Sequence, residues 1–188
     1  MRRLILLLVA LSLLISCTTI EHIVREEPVG SEEASTGLGV DITDSTIGRH
    51  IGVNIMKADP ELETANININ VFNSVVLLTG EVPSQKLKAI AGDMARSIKG
   101  VRMVANELQV RANSTIADRG VDSMITAKVK IKLALDEEVK ATDIDVITED
   151  NVVYLMGLVP KTMGERAANR ANETRGVREV IKVFEYID

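Results

Sequence analysis

The line VVLLTGEVP occupies residues 75–83, and VVYLMGLVP occupies residues 152–160. They part mainly at Thr79/Met156 and Glu81/Leu158. An internal repeat decides the architecture before any local signal does. Each line is apolar almost throughout, as a central strand covered on both faces would be. Each closes on a proline, Pro83 or Pro160, which has no N–H to give a ladder.

Both flanks of the quoted lines repeat as well. Asp44-Ser45-Thr46-Ile47 returns as Asp122-Ser123-Met124-Ile125, and Ala65-Asn66-Ile67-Asn68-Ile69 as Thr142-Asp143-Ile144-Asp145-Val146. Gly100-Val101-Arg102-Met103-Val104 returns as Gly176-Val177-Arg178-Glu179-Val180. The offset slips from 78 (122 − 44) through 77 (152 − 75) to 76 (176 − 100), one residue at a time. Two copies result, at 44–111 and 122–188, joined by a polar linker over 112–121 that carries Gly120.

Each copy reads α-β-β-α-β. Asp44 or Ser45, and Asp122 or Ser123, offer N-cap oxygens to a first helix. Ile47, Ile51 and Ile55, and again Ile125, Val129 and Leu133, recur every fourth residue on one helical face. Alternating Ile67, Ile69 and Val71, and Ile144 and Val146, predict a half-buried strand. Asn73-Ser74 and Asp150-Asn151 are turn formers that lead into the quoted strand. Gly80 and Gly157 within it imply a close backbone approach or a bulge. A second helix follows, with Gly100 and Gly176 placed for a left-handed C-cap. A last strand, Val101 to Val110 or Val177 to Ile187, closes each copy. Units this small have marginal cores.

The N-terminus belongs to targeting rather than to the fold. Arg2 and Arg3 precede an apolar run from Leu4 to Ile15, interrupted at Ser12. Such a run is too short for a spanning helix, which needs about 20 residues, and has the size of a signal-peptide core. Leu14-Ile15-Ser16-Cys17 resembles a bacterial lipobox. The resemblance implies a signal peptide over 1–16 and a lipid-modified Cys17, the single cysteine of the chain. Three acyl chains would hold the protein on a membrane, where one chain anchors only marginally. Thr18 stands where an Asp would resemble an inner-membrane retention signal, so the resemblance implies an outer-membrane anchor. Residues 17–43 then read as the acylated N-terminus and a charged tether, with Pro28 and six acids against Arg25.

Little in the chain suggests catalysis. His22 lies in the tether and His50 stands alone in the first helix, so no zinc set or Ser-His-Asp set is predicted. Asp136-Glu137-Glu138 and Asp143/Asp145 lack the spacing of a calcium loop and read as solvated. Glycine-rich phosphate loops are absent from the sequence. No Trp, two Phe, two Tyr and a formal net charge of −5 argue against nucleic-acid binding.

The first helix of copy two carries more than a core stripe. With Ile125 at 0° and about 100° per residue, Val129 and Leu133 fall at about 40° and 80°. Ile131, Met124 and Leu135 gather at about 240–280°, with Lys128 and Lys132 beside them at about 300° and 340°. A second apolar stripe edged by lysines suits an interfacial helix facing anionic lipid. The same positions of copy one hold Thr46, His50, Val53, Asn54 and Lys57, so the pattern is confined to copy two. A stripe buried against copy one would read the same way in sequence.

The order D-S-x-I, I-x-V/I, V-V-x-L-x-G-x-V-P and G-V-x-x-V, present twice behind a lipobox, resembles the BON domain (bacterial OsmY and nodulation) and the dual-BON outer-membrane lipoproteins of the DolP type. The resemblance implies an α+β fold. Each of the two tandem α-β-β-α-β domains would be a small three-stranded mixed sheet with two helices packed on it. It implies a non-enzymatic, lipid-anchored, periplasm-facing protein of the outer membrane that has no cofactor beyond the lipid on Cys17. It further implies binding of anionic phospholipid (phosphatidylglycerol or cardiolipin) through the first helix of the second domain, at Met124, Lys128, Ile131, Lys132 and Leu135, in support of envelope integrity. That family places an aromatic residue where this chain has Met124. The alternative, from the soluble relatives, is a periplasmic chaperone or adaptor for the outer-membrane assembly machinery.

Overall fold

The computed structural model describes residues 43–113 and 116–187. In copy one, helix α1 (Asp44–Ala58) and the single turn α2 (Pro60–Glu63) precede strands β1 (Asn66–Phe72) and β2 (Val75–Val82). Helix α3 (Gln85–Arg96) and strands β3 (Met103–Asn106) and β4 (Gln109–Val110) complete it. Copy two runs α4 (Ile116–Ala134), a 3-10 turn (Ala141–Asp143), β5 (Ile144–Glu149), β6 (Val152–Val159), α5 (Lys161–Asn172) and β7 (Glu179–Tyr186). In each sheet the repeated line is the central strand. It pairs antiparallel with the strand before it and parallel with the last one, which gives a mixed sheet.

The recurring aspartates do something other than cap helices. Both hairpin turns have positive φ at their two central residues, Asn73 (48°) and Ser74 (64°), and Asp150 (50°) and Asn151 (62°). That is the twist a two-residue hairpin requires, and short polar residues tolerate it best. It also aims two backbone N–H groups the same way. Asp44 accepts both, from Asn73 N at 2.6 Å and Ser74 N at 2.8 Å. Asp122 accepts Asp150 N and Asn151 N, each at 2.8 Å. The N-cap of α1 is Thr43. Helix α4 begins at Ile116, inside the segment read as a linker, so Asp122 is interior to it. The expected caps at Asp44/Ser45 and Asp122/Ser123 are thus replaced by a carboxylate latch that ties each first helix to its hairpin.

Two of the glycine expectations hold, and two shift. A Cβ on Gly80 would stand 1.9 Å from Asn66 O, and one on Gly157 would stand 2.4 Å from Asp143 O, so both mark close backbone approach. Gly80 also has φ +108°, and at this point the copy-one edge breaks into β3 and β4 rather than forming one strand. The ladder of copy two runs unbroken past Gly157 to Tyr186. Gly100 and Gly176 are left-handed (φ 93° and 105°). They do not cap the helices, whose C-caps are Ser97 and Glu173; they sit at the third position of the turn into the last strand. Those turns close through Val101 N to Ile98 O and Val177 N to Thr174 O.

Side-chain alternation explains the doubly apolar central strands. Val76, Leu78 and Val82 of β2 pack under α1 and α3 with Ile47, Ile51 and Leu87. Val153, Leu155 and Val159 of β6 pack under α4 and α5. The other faces meet: Val75 and Leu77 form a third core with Val152, Tyr154, Met156 and Val183. The layers are therefore helix, sheet, sheet, helix, with both helical layers outermost. Polar groups ring the junction. Asn68 donates to Glu149 at 2.9 Å, Arg111 joins Asp150 at 3.0 Å and the fully buried Glu81 at 2.9 Å, and Arg102 pairs with Glu185. Burial and the charge of Glu81 push the Glu149 carboxyl up.

Two stability outcomes follow from these contacts. Asp122→Ala strands two turn amides and is expected to cost roughly 2 kcal/mol in urea unfolding, with Asp122→Asn losing less. Thr79 Oγ1 is buried without a hydrogen-bond partner among the described residues. Thr79→Val is therefore expected to stabilise by about 1 kcal/mol, and an unchanged or lower midpoint would contradict the geometry.

Candidate functional site

Helix α4 separates its two stripes. Ile125, Val129 and Leu133 are sealed in the copy-two core. Met124, Ile131 and Leu135 are 59%, 61% and 79% exposed. Because the two copies meet through their sheets, nothing among the described residues covers this outer face, and packing against copy one is not its explanation. Lys128 is exposed and has no ion-pair partner among the described residues. Lys132, nearer the core side, pairs with Glu173 at 3.1 Å.

Sequence reasoning missed Val121. It falls in the segment read as a linker, yet α4 runs through it, and it is 51% exposed. On the same wheel it falls at about 320°, between the two lysines. From Val121 to Leu135 the face is about 21 Å long at 1.5 Å per residue. Carrying the helical wheel one turn further toward the N-terminus would have found it. In copy one the matching face of α1 shows no such stripe: Asn54 is buried, Val53 is half-buried, and the other positions are Thr46, His50 and Lys57.

Beyond the end of α4 lies a charge network. Asp136, read from sequence as part of a solvated acidic run, is buried. Its carboxylate takes Arg166 Nε at 2.7 Å and Arg170 Nε at 2.5 Å. Hydrogen bonds from those two guanidinium groups hold the Asp136 carboxyl down at about 2. Arg166 also reaches Glu138 at 3.0 Å, and Arg170 reaches Glu173 at 3.5 Å, so Lys132 ends a chain of alternating charges. Asp143 is engaged by Lys140 at 2.8 Å. No group of three His, Cys, Asp or Glu among the described residues could hold a metal ion. No described helix is long and apolar enough to cross a membrane. Cys17 and the expected signal peptide and tether lie outside the described residues.

Comparison with known proteins bears on this arrangement. The BON domain profile matches residues 43–112 and 121–188. The chain is 36% identical to the outer membrane lipoprotein DolP of Haemophilus influenzae over 161 residues, 85% of this chain and 82% of that one. It is 34% identical to a 21 kDa hemolysin of Actinobacillus pleuropneumoniae, covering 79% of this chain and 77% of the relative. It is 30% identical to osmotically-inducible protein Y of Escherichia coli, covering 73% and 69%.

The Asp136 network has a pH signature. The folded carboxyl titrates near 2 and an unfolded aspartate near 3.8. The stabilisation is thus complete above about pH 4 and is lost as the pH falls toward 2. Asp136→Asn is expected to unfold more easily than the parent at pH 6, with the gap closing between about pH 4 and 2. A gap independent of pH would exclude the ion pairs as its source.

Proposed function

The chain belongs to the BON-domain family, beside lipoproteins of the bacterial outer membrane, and from that premise we propose that its second domain binds anionic phospholipid through α4. The exposed apolar face edged by Lys128 and Lys132 carries the reading. An interfacial helix gains from burying such a face at the headgroup boundary, and each lysine adds about 1 kcal/mol at an anionic surface. Met124, Ile131 and Leu135 enter the acyl boundary, joined by Val121, while the lysines stay at headgroup level. The protein acts without catalysis, as an adhesive element that supports outer-membrane integrity.

The N-terminal reading completes the proposal. Residues 1–16 are a lipoprotein signal peptide, Cys17 carries the lipid, and 17–43 tether the two domains at 44–111 and 122–188. Acylation alone would hold the chain on the membrane. The face on α4 adds a second contact to the same surface, which the anchor makes effectively intramolecular. Unlike the acyl chains, that contact selects for headgroup charge.

The test is co-sedimentation of the unacylated chain 18–188, which keeps every element of the described fold. Vesicles of phosphatidylglycerol or cardiolipin are compared with phosphatidylcholine, at low and high salt. Binding to the anionic vesicles is expected to be selective and weakened by salt. Reversing both lysines (Lys128→Glu with Lys132→Glu) is expected to weaken it by more than about tenfold, at unchanged circular dichroism. Equal binding by that variant would move lipid contact elsewhere. No binding to any vesicle, with capture of assembly-machine subunits by the same face, would favour the adaptor reading.

A further inference from the structure

Lys132 is not free to meet a headgroup. Its Nζ lies 3.1 Å from Glu173 Oε2, with the two side chains 32% and 57% exposed. Glu173 is the C-cap residue of α5. A carboxylate is disfavoured there, where the helix dipole presents its negative end. Its position is made tolerable by the cations around it: Lys132 first, then Arg170 at 3.5 Å. Both hold the Glu173 carboxyl below its ordinary range, so it remains charged throughout the neutral region. Copy one has neither half of this pair. The matching residues are Asn54, which is buried, and Ser97, a neutral C-cap. Pair and apolar face occur together, in copy two only.

Resting on the phospholipid reading above, we propose that Glu173 is an internal competitor of the lipid phosphate for Lys132 and so sets the density of anionic lipid at which α4 engages. On a sparsely charged surface Lys132 stays with Glu173, and only Lys128 is available. On a densely charged one, phosphate displaces the carboxylate, and Arg170 remains beside Glu173 so that its charge is not orphaned. The exchange is cheap because the pair is solvent-exposed, and exposed pairs are weak. The competitor therefore tunes the interaction and does not block it. Glu173 makes no lipid contact and acts through Lys132.

The experiment measures binding of the unacylated chain to vesicles of phosphatidylcholine containing increasing fractions of phosphatidylglycerol. Glu173→Gln is expected to bind about two- to fivefold more strongly at intermediate fractions, the span of an exposed ion pair. Its midpoint is expected to shift to a lower fraction of phosphatidylglycerol. In a Lys132→Gln background the same substitution is expected to have no effect. Glu137→Gln removes an exposed negative charge of the same copy that pairs with no cation among the described residues, and so reports general repulsion. A gain from Glu173→Gln that survives without Lys132, or that Glu137→Gln equals, overturns the competitor while leaving lipid binding intact. A wild-type chain that ignores even pure phosphatidylglycerol vesicles overturns both.

Discussion

Everything outward-facing in this molecule depends on the apposition of its two sheets. A three-stranded sheet with two helices on one side leaves its other side bare, and units of this size have little core to spare. Val75 and Leu77 on one side, and Val152, Tyr154, Met156 and Val183 on the other, remove that exposure by covering each other. Once they do, the helices are outermost, and the far side of α4 has no neighbour among the described residues. An alternative in which α4 packed against copy one would have buried Met124, Ile131 and Leu135 and left two apolar sheets in water. The sheet contact therefore decides the status of the helix face without touching it.

The apposition also explains how the copies diverge. Along the face that meets the partner sheet, copy one carries Thr79 and Glu81 where copy two carries Met156 and Leu158. Glu81 is fully buried, yet Asn66 donates to it at 2.7 Å and Arg111 at 2.9 Å, so its charge is compensated. Arg111 continues to Asp150, which Arg178 also reaches at 3.0 Å. Apolar contact supplies the bulk of the junction, and this polar edge gives it orientation. A slipped arrangement would part Arg111 from Asp150, while Glu81 would keep Arg111, its neighbour in the same copy.

Much of this was legible in the sequence because the signals were local. Period-four isoleucines gave the inner face of α1, alternating Ile67, Ile69 and Val71 gave β1, and two glycines in strands gave the points of close approach. What escaped depended on residues distant in the chain. An aspartate ahead of an apolar helical run looks like a cap, and only the position of a hairpin almost thirty residues later makes it a latch. Asp136 reads as one acid in a solvated run until Arg166 and Arg170 arrive from α5. Val121 escapes because Asp122 reads as a helix start. Once the aspartate is assigned to the turn, nothing stops the helix from continuing back past it.

The start of the first helix is a further difference between the copies. In copy one Thr43 caps the helix directly before Asp44, so α1 has no residues ahead of its latch. In copy two α4 reaches six residues further back, from Ile116 to Asp122. The extension lets an exposed apolar face run beyond the part held against the core, at no cost to the packing beneath it. Gly48 and Gly52 of α1 sit within reach of Val71 and Ile69 on β1, while the corresponding positions of α4 are Thr126 and the exposed Lys130. Glycine lowers helix stability by about 1 kcal/mol per residue relative to alanine, so α1 depends on its sheet for support. Helix α4 lacks glycine at those two positions, though it carries Gly120 in its extension, and its outer face is covered by no other part of the described protein.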